Sequence, residues 1–273
     1  MTTKNDIREE TVCGSASEIL PVSEAKETEN SGYRFVDVLY EDIHALAEAL
    51  ATCWEDGKKA LFGGSFADLF QENEPLNASL CQNAKAEFEA FPADADWIFL
   101  DFLYRIDPDL KEFYFKGTAY TAFSTFGKDL LQALRRKDST ARDTLHGMLR
   151  RQILTKHMER LFGNSDRLEQ AKVLEDVFSD ENADERTLLL NDYAAAYLIA
   201  DEISFETNGQ ILESIEQLTQ YMKSLLDISY ETFEDFCHTL IDYNDVLDPQ
   251  LEAFLLALGK REALAVWRAA CHR

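Results

Sequence analysis

A short apolar pattern recurs four times along this chain and limits its fold more than any other feature. Tyr40, Ile43, Leu46 and Leu50 are spaced by three, three and four residues. The same spacing returns at Tyr120, Phe123, Phe126 and Leu130, at Leu212, Ile215, Leu218 and Met222, and at Tyr230, Phe233, Phe236 and Leu240. It sets four side chains on one stripe of an α-helix. A turn or helix-starting residue stands three positions before each lead residue: Asp37, Gly117, Gly209 and Asp227. Two further back, three copies carry an apolar residue, Phe35, Phe115 and Leu225. Reuse of one helical unit predicts an all-α chain, a helical bundle or irregular helical repeat with at most one or two short β-hairpins. Such repeats more often hold partners than perform covalent chemistry.

Local signals fill in this frame. A helix is predicted from Asp37 through Tyr40 to about Trp54, and another over Leu76 to Phe91, stopped by Pro92. The dense run Trp97-Ile98-Phe99-Leu100-Asp101-Phe102-Leu103-Tyr104 reads as a buried helix, with a strand as the alternative. Phe113 to Tyr120 alternates around Gly117 and suggests a tiny hairpin, with Ile203 to Gly209 as its counterpart. Asn208-Gly209 favours a turn with positive φ. Asp107-Pro108 and Asp248-Pro249 open matching D-P-x-L-x-x-F stretches, each read as an N-cap with proline in the first turn. Further helices are expected near 140–162, 165–178, 184–200, 211–226, 229–244, 249–258 and 260–271.

Residues 1–32 are polar and aperiodic and read as a disordered acidic tail. A division into helical units 33–137 and 138–273 follows from the charge, with one continuous domain as the alternative. No apolar run is long enough to cross a bilayer, and the opening Met-Thr-Thr-Lys-Asn-Asp predicts no secretion signal. Five scattered cysteines fit a reducing cytosol.

The formal net charge is −24, and it is uneven. Residues 135–172 hold ten Lys or Arg against five acids, whereas residues 173–255 hold twenty acids and two basic residues. Acidity alone keeps a chain soluble, but this layout also suggests a contact surface. Its candidate acids are Asp180, Glu181, Asp184, Glu231, Glu234 and Asp235. The candidate cations are Arg135, Arg136, Arg150, Arg151 and Lys156, facing a partner or the chain's own acidic half. Long-range repulsion argues against direct binding of nucleic acid.

Motifs for chemistry fail on spacing. Asp180 to Asp184 starts like a calcium loop, but Glu185 and Asn191 occupy the places of its required Gly and Glu. Gly57-Lys58-Lys59 and Gly63-Gly64-Ser65 have phosphate-binding residue types in the wrong order. Cys237-His238 and Cys271-His272 are adjacent, whereas zinc ligands are separated by two to four residues. No nucleophile elbow is present, and no acid pair stands out. No catalytic, cofactor-binding or metal-binding residues are therefore expected.

Residues from about Tyr40 to Leu131 resemble a helical segment of bacterial multidomain proteins that accompanies protein-kinase-like or Hsp70-like ATPase domains. The resemblance is carried by Trp54-x-x-Gly57-Lys58-x-x-Leu61, Leu103-Tyr104-Arg105, Leu110-Lys111-x-Phe113-Tyr114-x-Lys116-Gly117, Phe123 and Phe126-Gly127. Gly63 and Phe115 depart from it, standing where that segment has Arg and Trp. It implies a bacterial cytosolic accessory module and transfers no active site, since no kinase glycine loop, H-R-D or D-F-G is present. The leading expectation is a non-enzymatic interaction or scaffold module with an acidic partner-binding face. The alternatives are an acidic nucleic-acid mimic that inhibits a DNA- or RNA-binding enzyme, and an enzyme with a dispersed site. The expected partner is a protein with a basic surface; a homo-oligomer stays open.

Overall fold

The repeated pattern is a β-hairpin followed by a helix, present three times. The computed structural model describes residues 32–70, 74–241 and 246–259. In chain order the elements are β1 (Tyr33–Phe35), β2 (Val38–Tyr40), α1 (Ile43–Thr52), α2 (Trp54–Gly63), α3 (Ser65–Phe70), α4 (Pro75–Ala90) and, after a 3-10 turn, α5 (Ala95–Ile106). Then come β3 (Phe113–Phe115), β4 (Thr118–Tyr120), α6 (Phe123–Arg135), α7 (Ser139–Arg150), α8 (Ile153–Phe162), α9 (Asp166–Ser179) and α10 (Glu185–Ala200). The last are β5 (Phe205–Thr207), β6 (Gln210–Leu212), α11 (Ile215–Ile228), α12 (Tyr230–Thr239) and α13 (Pro249–Ala257). The fold is all-α apart from three separate two-stranded antiparallel sheets.

The lead residue of each unit closes its hairpin by pairing across strands: Tyr33 with Tyr40, Phe113 with Tyr120, Phe205 with Leu212. The two turn residues of every hairpin have positive φ: Val36 and Asp37, Lys116 and Gly117, Asn208 and Gly209. That geometry matches the right-handed twist of the flanking strands. Two residues on, the helix begins. Asp42 and Ser214 cap α1 and α11 by accepting from the amides of Ala45 and Gln217. Ala122 holds the same place before α6 and has no side chain with which to cap. The stripe then turns inward, with Leu46, Phe126 and Leu218 buried.

Several expectations need correction. No helix runs from Asp37 to Tyr40: Asp37 sits in the hairpin turn and Val38–Tyr40 is a strand, so α1 starts at Ile43. The fourth copy has no hairpin. Asp227 lies inside α11 and Tyr230 opens α12, so there the spacing is that of a plain amphipathic helix. Asp248 caps α13 as read, but Asp107 ends α5 instead, accepting from the Asp109 amide and pairing with His44 Nδ1 at 2.6 Å. The stretch 140–162 is two helices, broken where Gln152 adopts φ 54°. Trp97–Tyr104 is helical, buried along its whole length in α5. Most of the expected tail and the helix expected at 260–271 lie outside the described residues.

Two hydrophobic cores result. The larger contains Phe35, Leu46, Phe99, Phe113, Phe126, Leu149 and Tyr197, and crosses residue 137 without interruption. The smaller joins Phe205, Leu212, Leu218, Phe236, Leu251 and Phe254. They meet where Tyr197 donates to the Ser204 carbonyl at 2.9 Å and where Arg186 reaches Glu252 and the Leu247 carbonyl. No helix among the described residues is long and apolar enough to cross a membrane.

Candidate interaction surface

The basic segment is the fold's internal counter-charge. Arg135, at the end of α6, donates to the Ser204 carbonyl at 3.0 Å and to its Oγ at 2.7 Å, with Glu206 at 3.5 Å. Arg150 meets Asp94 at 2.6 Å, Lys156 meets Asp101 at 2.5 Å, and Arg151 pairs with Glu87. Asp94 and Asp101 are buried; Asp101 is shared with Arg105 at 2.6 Å, whereas Asp94 has Arg150 as its one described cation, so removing Arg150 would strand a carboxylate out of water at a cost of several kcal/mol. Of the five predicted cations, Arg136 stays exposed and makes no ion pair with a described residue. The segment thus reaches the acidic second half through Arg135, and through Arg142 to Asp192 and Glu185. Arg167 also pairs with Asp201, whereas Arg150, Arg151 and Lys156 pair with the first half.

Most buried polar groups are likewise committed to neighbours, although His157 Nε2 has no hydrogen-bond partner among the described residues. Asp192 is fully buried; Arg142 Nε lies 2.9 Å from one of its oxygens and His146 Nε2 2.9 Å from the other. Glu175 accepts from the Thr155 amide at 2.9 Å and the Thr155 hydroxyl at 2.5 Å. Burial pushes its carboxyl above the usual range, against the pull of those two bonds. His157 pairs with the Tyr104 hydroxyl at 2.7 Å and is enclosed by Phe113 and Phe123. Burial, with Arg160 nearby, lowers its pKa to about 3 and keeps the ring neutral. Among the described residues no three His, Cys, Asp or Glu side chains are placed to hold a metal ion. A cleft of about 910 Å³ has Val173, Leu174, Leu198, Ile203 and Leu258 along its walls. The acids Asp201 and Glu202 at its edge are tied to Arg167 and Lys128.

The predicted acids divide into two groups. Asp180 accepts from the Asn182 amide and Asp184 caps α10 through the Thr187 amide, so both serve local backbone; each is held below the usual carboxylate range by those bonds. Glu181 between them is exposed. Glu231, Glu234 and Asp235 stand on the solvent face of α12, opposite buried Phe236, and no described cation pairs with any of them. Burial thus consumes the cations at the middle of the molecule and leaves α12 negative.

Leu226 and Ile228 were not singled out from sequence, and Tyr230 only as the lead of the fourth stripe; they are exposed at 49%, 73% and 67% around the elbow between α11 and α12. Comparing the ends of the repeat helices, and not only their stripes, would have found them. At the place of Leu226 the first two units carry Trp54 and Leu134, both buried. Comparison with protein-family models, curated proteins and solved structures finds no match to this chain.

Proposed function

We propose that this chain is a non-enzymatic interaction or scaffold module whose α12 face receives a basic segment of a partner protein. One observation carries the reading: Arg142, Arg150, Arg151 and Lys156 are spent on internal carboxylates, while Glu231, Glu234 and Asp235 face solvent with no described cation paired to them. Unneutralised carboxylates on one helix face steer and select a partner of opposite charge. A cytosolic, bacterial accessory role belongs to the same proposal, supported by the scattered cysteines and by the resemblance of residues 40–131.

The test is crosslinking in host cells with E231Q/E234Q/D235N against a control triple, D129N/D143N/D176N, at other exposed acids. The expected partner carries a Lys- or Arg-rich segment, is lost from the α12 triple alone, and is released as salt rises. Equal capture by both triples would sink the reading.

A further inference from the structure

The two internal junctions between units obey one rule. Each hairpin sits against the C-terminal end of the preceding unit's helix. The tip of the second hairpin lies on the end of α1, where a Cβ on Gly117 would be 3.1 Å from the Thr52 carbonyl oxygen and 3.6 Å from Trp54 Cβ. Phe115 of the same hairpin packs against Trp54, ring centroids 6.3 Å apart. The third hairpin lies on the end of α6. Arg135 reaches Glu206 there, and Gln132 and Arg136 share a small cavity with Thr207, Asn208 and Gly209.

The rule leaves one surface over at each end of the series. Among the described residues no helix precedes the first hairpin, and its outward residues Val36, Val38 and Leu39 are all close to half exposed. A cleft of about 560 Å³ opens beside it, lined by Arg34, Phe35, Val36, Lys59 and Phe66 among others. The last repeat helix, α11, has no following hairpin, and the equivalent place carries exposed Leu226, Ile228 and Tyr230. Val36 also holds φ 46°, a left-handed conformation that a β-branched residue rarely adopts. The other two hairpins put Lys and Asn at that position. An apolar side chain is thus kept at an exposed tip despite its backbone cost.

We infer that a second copy of this chain covers the elbow: the first hairpin of one copy docks on the α11–α12 elbow of another, head to tail. The charges fit that sense of assembly. Asp227 and Glu231 flank the elbow, and no described cation pairs with either. Around the hairpin, exposed Arg34 and Lys59 stand among the acids Asp37, Glu41, Asp42 and Asp56. A chain of net charge −24 gains by bringing Arg34 and Lys59 of one copy onto Asp227 and Glu231 of the next. A symmetric elbow-to-elbow contact would instead set these carboxylates against their own copies. A head-to-tail contact uses two different patches, so copies add in series unless the rotation closes a ring.

The test is sedimentation of the full chain from micromolar to millimolar concentration, with V36D and I228K. Both positions are exposed, and circular dichroism checks that each variant folds. Wild type is expected to grow in mass with concentration, and each variant to weaken association at least about 30-fold, as for a central contact residue. Each variant retains one intact surface, the elbow in V36D and the hairpin in I228K. An equimolar mixture is therefore expected to form a 1:1 dimer and stop there. A wild type that stays monomeric, association that survives either substitution, or a mixture no heavier than its components would each overturn the inference. The acids of α12 used above are unchanged in both variants, so partner capture and self-association fail independently.

Discussion

Gly127 of α6 lies directly against Ala200 of α10: a Cβ at Gly127 would fall 2.2 Å from the Ala200 amide nitrogen and 2.5 Å from the Ile199 carbonyl carbon. Backbone, not a yielding side chain, fills the space. G127A should therefore destabilise the fold by at least about 2 kcal/mol, although alanine is the better helix former by about 1 kcal/mol. Urea unfolding measures it. Gly63 ends α2 with nothing within 4 Å of such a Cβ, so G63A is the matched control and should be close to neutral.

Ala122 precedes α6 in extended backbone, with φ −135°, where Asp42 and Ser214 cap the sister helices. The Thr125 amide already donates to the Ala122 carbonyl at 3.0 Å, so A122D should stabilise the protein by at most about 1 kcal/mol, through a bond to the Ser124 amide or a share of that of Thr125. Thermal unfolding checks it; an unchanged midpoint would show that these amides are already satisfied.

Asp192 holds Arg142 and His146 at the centre of the α7–α10 contact with no exposure of its own. D192A leaves the part-buried guanidinium with only the exposed Glu185 and strips His146 of its carboxylate, and should cost about 3 kcal/mol. K172A, at the exposed Lys172–Glu169 pair, should fall within about 0.5 kcal/mol of wild type. Urea unfolding of the two variants side by side decides the matter.

His157 is neutral when folded, its pKa lowered from 6.5 to about 3. In the unfolded chain it takes up a proton near the ordinary value, so between these two the unfolded state binds more protons. Its contribution to stability is complete above about pH 6.5 and declines as pH falls toward 3, at roughly 1.4 kcal/mol per pH unit. H157F removes the titration, so its stability should fall less steeply over this window. Parallel slopes for the two proteins would refute the assignment.

Val36 offers the opposite kind of change. V36N places a residue tolerant of left-handed backbone in the first hairpin turn and should raise monomer stability by about 1 kcal/mol. The same substitution should weaken head-to-tail association. Thermal unfolding at low concentration reads the first effect and sedimentation reads the second.

Sequence revealed the second and third hairpins because Gly117 and Asn208-Gly209 advertise positive φ. The first hairpin was hidden. Val36-Asp37 carries no such signal, and Asp37 before an apolar stripe mimics a helix start. The basic segment was legible as a charge anomaly but not as a clamp, because its partners Glu87, Asp94 and Asp101 lie fifty or more residues away. Asp192 left a faint trace, a polar pair with Asn191 inside an otherwise apolar run. The α12 acids were visible from charge alone; the elbow beside them was not, since exposure of Ile228 depends on what fails to cover it.

The mid-chain clamp also decides how the polypeptide can be divided. Severed near residue 137, the leading piece would keep Asp94 among its apolar side chains while losing Arg150, and Asp101 would be left with Arg105 alone; the trailing piece would lose Arg135, the partner of Ser204 and Glu206. The leading piece could not settle its own buried charge. A nascent chain faces the same constraint: its first half must wait for α7 and α8 to leave the ribosome before it can close.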